Sequence, residues 1–144
     1  MLDLKIINGQ CYIDGELKNV DVSIKDGKIY NIGKITEESK NTIDAKGLTV
    51  LPGCIDTQTH FREPGSTDTE DLHSGSRAAI VGGITAVFEM PNTNPPTSTK
   101  KEFQRKLDLA KNRMYCNYAF YFGATADNAD DLASLEGLEG LVQS

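Results

Sequence analysis

The sequence predicts an α/β protein in which a small β-rich segment leads into a parallel-sheet segment. Two observations carry this. Short β-prone runs punctuated by Asn-Gly and Asp-Gly pairs fill residues 1–48. From residue 49 onward, β-prone runs alternate with helical patterns, the order that implies parallel strands. The expected domains are 1–48 and 49–144, the second holding three β-α units. No internal repeat, low-complexity tract or long linker separates them.

Leu4 to Ile7 is β-prone and stops at Asn8-Gly9. Cys11 to Ile13 is closed by Asp14-Gly15, and Val20, Val22 and Ile24 alternate onto one face. Asp26-Gly27 then turns the chain into Lys28 to Ile32, completing a β-meander. Leu48 to Ile55 is nearly all apolar and reads as one strand buried on both faces. Thr67 and Glu70 have capping-box spacing for a helix that Gly82-Gly83 stops. Ile84 to Phe88 is the second strand of this segment. Thr99 and Glu102 cap a second helix, with Phe103, Leu107, Ala110 and Met114 as its apolar stripe. Asn117 to Phe122 is the third strand, and a short helix is expected over 129–135, with Asp127, Asp130 and Asp131 as its solvated start.

Composition excludes several classes. With 38% hydrophobic and 25% charged residues, the chain is globular in kind. A net charge of -6 argues against nucleic acid as a partner, because phosphate binding needs clustered cations. No apolar run approaches the roughly 18 residues of a membrane helix. Cys11, Cys54 and Cys116 are odd in number and widely spaced, so a reducing cytoplasm is expected.

The chemistry-bearing stretch is Asp56-Thr57-Gln58-Thr59-His60-Phe61-Arg62-Glu63-Pro64-Gly65. In an extended chain Asp56, Gln58, His60 and Arg62 share one side. Ligands of parallel α/β folds bind beyond the carboxyl ends of strands, so these four residues converge on an expected site. His60 suits a neutral imidazole ligand and Arg62 a carboxylate. Asp56 either orients a loop or bonds behind a ligand. Asn92, in the stiff Pro91-Asn92-Thr93-Asn94-Pro95-Pro96 loop, either binds a polar substrate group or shapes its turn. Arg62 alternatively pairs with Glu63 or Asp68. Glu89 reads as a structural carboxylate, and His73 as a surface residue of the first helix.

The His60-Phe61-Arg62-Glu63-Pro64-Gly65 segment, the Gly82-Gly83-Ile84-Thr85 turn and the Met90 to Pro96 loop resemble dihydroorotases of the amidohydrolase superfamily. Leu51-Pro52-Gly53-Cys54-Ile55-Asp56 adds to the resemblance, which is strongest over Gly47 to Thr97. Hydantoinases and allantoinases share the strand-loop layout without usually pairing Arg-Glu-Pro-Gly with Pro-Asn-Thr-Asn-Pro. The resemblance implies a (β/α)8 TIM-like barrel plus a small β-sandwich built from both chain ends. It implies interconversion of N-carbamoyl-L-aspartate and L-dihydroorotate in de novo pyrimidine synthesis, with one or two zinc ions activating water. His60 matches the second histidine of the His-x-His metal motif, and Arg62 and Asn92 match the residues that bind the substrate carboxylate. Gln58 stands at the first histidine of that motif, where an amide is a poorer zinc ligand.

The family draws its remaining ligands and its catalytic Asp from later strands. No catalytic residue is therefore expected within this chain. A barrel takes roughly 250 residues, so the chain is expected to be an N-terminal portion, an incomplete barrel inactive alone. The expected partners are dihydroorotate or carbamoyl aspartate, and a second copy or an aspartate transcarbamoylase. Gln58 motivates that last option, a non-catalytic subunit.

Overall fold

A computed structural model describes residues 1–129, 133–135 and 139–142. It divides into two compact units, Met1–Pro52 and Gly53–Ser144. The expected boundary lay between 48 and 49. Thr49 and Val50 fall in the first unit because they pair in parallel with Gln10 and Cys11.

The first unit holds two sheets. Strands β1 (Leu2–Ile7), β4 (Asp21–Lys25), β5 (Lys28–Gly33) and β6 (Ser39–Asp44) form one, in the order β5-β4-β1-β6. Strands β2 (Gln10–Ile13), β3 (Glu16–Asn19) and β7 (Thr49–Val50) form the other, in the order β3-β2-β7. Both predicted Asp-Gly turns close hairpins, β2–β3 and β4–β5, though the strand that returns from Asp14-Gly15 is β3 rather than Val20 to Ile24. Asp14 and Asp26 sit at φ 52 and φ 53, the left-handed region a two-residue hairpin turn demands. The simple meander is not present. Asn8 (φ 61) leads from one sheet to the other, so β1 pairs with β4 and, in parallel, with β6. The strand β6 and its parallel register left no local signal in the sequence.

The second unit is built on a parallel sheet, β10 (Asn117–Phe120), β9 (Ile84–Glu89) and β8 (Cys54–Thr59), in that order. Helices α1 (Leu72–Val81) and α2 (Lys100–Ala110) connect the strands. Phe61, Leu72, Val87, Phe103, Ala110, Cys116 and Phe120 form one buried cluster. Each fully buried large side chain there stabilises the fold by about 1.5–3 kcal/mol. Phe103 meets Phe120 edge-on at 6.5 Å, so the aromatic third strand seats α2.

Several local expectations are corrected. The apolar run Leu48 to Ile55 is two short strands broken at Leu51–Gly53, and Leu48, Leu51 and Ile55 are about 60% exposed rather than buried. β8 is an edge strand with one neighbour, so its apolar residues lack cover on that side. The cap of α1 is Asp71, which accepts from the Ser74 N–H while Ser74 answers the Asp71 N–H. Thr67 and Glu70 precede it in turns, where the Glu70 N–H bonds Ser66 O. Thr99 caps α2 as expected, accepting from the Glu102 N–H at 3.2 Å. The helix ends at Ala110, and Met114 packs against the core from beyond it. β10 ends at Phe120. Of the helix expected over 129–135, residues 130–132 lie outside the described residues, Asp130 and Asp131 among them. Ala133–Leu135 is a 3-10 turn. Among the described residues no helix is long and apolar enough to cross a membrane.

Candidate functional site

The carboxyl ends of β8 and β9 are fastened side by side. The Met90 N–H donates to Thr59 O at 2.9 Å, and the Asn94 N–H to Pro64 O at 3.0 Å. This zips the 60–65 segment to the 90–95 loop. Gly65 is held at φ 124, and a Cβ there would lie 2.9 Å from that of Asn94, so only glycine permits the zip.

His60 follows the last residue of β8. Its Nδ1 lies 2.8 Å from Asn92 Oδ1. An amide oxygen only accepts, so in this contact Nδ1 is the donor. The two residues singled out on separate loops thus touch. Asn92 retains its NH2 as a donor for a further acceptor. Phe61, the next residue, is buried against Gly75 of α1, where a Cβ would come within 2.5 Å of the ring. That packing leaves Arg62 exposed at φ 58, a left-handed conformation uncommon for a non-glycine residue. Among the described residues, nothing pairs with its guanidinium.

Glu63 is taken by another cation. Arg113 binds it through two bonds of 2.8 and 3.1 Å, and Glu63 also accepts the Leu72 N–H at 2.9 Å. The Glu63 carboxylate raises the pKa of Arg113 above its usual value. The Arg113–Glu63 clamp joins the segment after Arg62 to the start of α1. The alternative pairing of Arg62 with Glu63 is thereby displaced.

Beneath His60 lies a fully buried ion pair, Glu89 with Lys106. Lys106 also donates to Met90 O at 3.0 Å and approaches Thr97 Oγ1 at 3.4 Å. Burial pushes the Glu89 carboxyl up and the Lys106 ammonium down, while each opposes the shift in the other. The Phe61 N–H and the His60 ring also favour the Glu89 charge. Lys106, in direct contact with the carboxylate, supplies the main compensation for its burial. The strand-end position of Glu89 would suit a base, but burial against Lys106 fits the structural carboxylate the sequence led one to expect.

The register of β8 against β9 shifts between Asp56 and Thr59. Asp56 Oδ1 accepts the Gln58 N–H at 3.0 Å, a local turn that orients this part of β8. Gln58 is exposed. His73 meets Tyr115 on the surface, its Nε2 3.2 Å from the phenol oxygen.

The donor set for a metal is short. Among the described residues no group of three His, Cys, Asp or Glu side chains could hold one. His60 Nε2 and the Gln58 amide oxygen are two donors at most, where zinc takes four ligands. The residues present do not by themselves make a zinc site. The three cysteines are all unpaired thiols, Cys11 and Cys116 buried and Cys54 exposed.

Comparison with known proteins places this geometry in context. Residues 49–139 match the Amidohydrolase family. An allantoinase of Salmonella choleraesuis is 41% identical over 135 residues, covering 93% of this chain and 30% of that protein. An Escherichia coli allantoinase is 40% identical over the same shares. Among solved structures, an L-hydantoinase (dihydropyrimidinase) from Arthrobacter aurescens superposes with TM-score 0.86 at 32% identity, covering 94% of this chain and 31% of its own. A D-hydantoinase superposes with TM-score 0.81 at 33% identity, covering 98% and 32%. The chain spans about 30% of the length of the curated relatives it matches.

Proposed function

The chain belongs to the amidohydrolase family, and we propose that it supplies the carboxylate-recognising part of a cyclic-amide hydrolase acting on dihydroorotate. The observation that carries this reading is the pairing of the zipped loops. Arg62 and Asn92 each stand two residues before the Pro64–Asn94 link. Among the described residues Arg62 offers an unpaired guanidinium and Asn92 an unpaired NH2, donors whose bonds a ring carboxylate would accept. His60 follows β8 and bonds Asn92 of the loop. In this reading it is a ligand to zinc, whose chemistry is to activate water, the other ligands coming from outside these residues. Three unpaired thiols support a cytoplasmic location.

A second reading has its own support. The allantoinase and hydantoinase relatives suggest a neutral cyclic ureide, for which Arg62 has no carboxylate to meet. Gln58 favours a third, a non-catalytic partner of an aspartate transcarbamoylase. Side-by-side ring opening of dihydroorotate, dihydrouracil, hydantoin and allantoin by the natural gene product, with zinc supplied, separates them. Selective turnover of dihydroorotate supports the proposal, and preference for allantoin or hydantoin sinks it. No turnover, no bound metal and co-purification with a transcarbamoylase would establish the third.

A further inference from the structure

Resting on the reading of Arg62 as the group that binds a substrate carboxylate, we infer that Arg113 is a positioning residue of this site, acting through Glu63 to aim Arg62 and to keep it unpaired. Arg62 is exposed, and among the described residues no bond or ion pair reaches its guanidinium. Its own backbone therefore sets the direction in which the side chain starts. That backbone is left-handed, at φ 58, a conformation that a residue with a Cβ keeps only when its surroundings impose it. The neighbours on both sides are fixed. Before it, Phe61 belongs to the buried apolar cluster. The Arg62 carbonyl accepts the Ser66 N–H at 2.9 Å. After it, the Glu63 carboxylate takes both arms of the Arg113 fork, at 2.8 and 3.1 Å, and the Leu72 N–H at 2.9 Å.

Arg113 is itself anchored before it meets Glu63. Its backbone N–H bonds Ala110 O at 3.0 Å, and its Nη1 also donates to Leu109 O at 3.0 Å. Its Nη2 lies 3.6 Å from the Asp71 carboxylate at the start of α1. The end of α2 and the start of α1 thus hold the fork that holds Glu63. Two consequences reach Arg62. A guanidinium grips a carboxylate through two parallel bonds only when it is presented in the right direction, so a loosened backbone at residue 62 weakens the grip. Glu63 is also the carboxylate next to Arg62 in the chain, and so a ready competitor for it. With its oxygens filled by Arg113 and Leu72, it leaves Arg62 to an outside ligand. The start of α1 has no need of the fork, since Asp71 already caps that helix.

The protein to test is the natural gene product with zinc supplied, and the probe is dihydroorotate. Arg113→Met should raise KM about 5–10-fold with kcat little changed, short of the loss expected from removing Arg62 itself. Arg113→Lys, which keeps the charge and loses the fork, should fall between. In an Arg62→Ala background Arg113→Met should raise KM no further, because nothing is left to aim. The same factor in both backgrounds is the mark of a merely structural role and would overturn the inference. A second readout needs no turnover. Arg62→Gly should melt above Arg62→Ala, because glycine takes a left-handed φ without a steric cost. Arg113→Met/Glu63→Gln removes both charges and leaves an acceptor for the Leu72 N–H. In that background the glycine and alanine variants should melt together, and an undiminished glycine advantage would overturn the inference. If the double variant does not fold, Arg113→Lys decides by the same comparison. No turnover of dihydroorotate, or an Arg62→Ala variant with native KM, would sink the reading of the site and this inference with it. A raised KM in Arg62→Ala beside a native one in Arg113→Met would sink this inference alone.

Discussion

The two units are held together by different means. In Met1–Pro52 the ion pairs Lys18–Glu16 and Lys40–Asp3 lie on the surface, and Ile29, Tyr30, Ile32 and Ile43 are largely exposed. Backbone ladders and tight turns define it. In Gly53–Ser144 the ion pairs Glu89–Lys106 and Glu63–Arg113 reach into the interior, beside a seven-residue apolar cluster. The first unit combines hairpins with the long-range parallel ladders β1–β6 and β2–β7, and the second adds buried charges that join distant residues. The candidate site belongs to the second kind, because its loops are placed by charges on α2 and on the chain just after it.

Breaking a buried pair tests this contrast with the largest effect. Lys106→Ala strands the Glu89 carboxylate in the interior and should cost about 3–5 kcal/mol in denaturant unfolding. Lys40→Ala, which breaks the exposed pair with Asp3, should leave the unfolding midpoint within experimental error. Equal losses from the two would erase the distinction between the units.

Function and stability should also part company at the site. Arg62→Ala removes an exposed side chain, so unfolding should change by less than about 0.5 kcal/mol. In the natural gene product it should raise KM for dihydroorotate about 10–100-fold, the loss of a charged hydrogen bond of roughly 1.5–3 kcal/mol. A KM unchanged for dihydroorotate would remove Arg62 from substrate recognition.

The sequence made these features legible to unequal degrees, for physical reasons. Asp14-Gly15 and Asp26-Gly27 could be read because a hairpin turn is decided by its own two residues. Thr99 could be read as a cap because its partner lies three residues on. His60 and Asn92 were marked by motif, but their contact was not, since it depends on the Pro64–Asn94 zip. The Glu63–Arg113 clamp spans 50 residues and has no local trace. The register shift in β8 between Asp56 and Thr59 has no local trace either, because period-2 reasoning assumes an unbroken ladder.

Gly75→Ala would place a Cβ within 2.5 Å of the Phe61 ring. Overpacking of this kind costs about 1–3 kcal/mol. Since Phe61 joins His60 to Arg62, the same substitution should disturb the His60 ring resonances. An Ala variant with native stability and an unshifted His60 spectrum would show that the ring relaxes freely.

The smallest effect concerns Asp71, where the sequence placed the cap elsewhere. Its pKa is lowered first by the Ser74 backbone N–H, then by the Ser74 hydroxyl, with Arg113 and His73 adding less. A carboxyl whose folded pKa lies below its unfolded value stabilises the fold above the unfolded value, about 3.9. That contribution is lost as pH falls through the folded pKa. With 35% of the side chain exposed, water screens the charge, and the cap contributes about 1 kcal/mol or less. Asn caps nearly as well as Asp but carries no charge to attract Arg113 or to titrate. Asp71→Asn should therefore be slightly less stable than the native chain at neutral pH. As the pH is lowered past the folded pKa, the native cap protonates and the difference should close or reverse. Melting curves of the two proteins across acid pH provide the check. Parallel curves at every pH would mean that Asp71 acts only through its shape, and that the charge at the start of α1 is incidental.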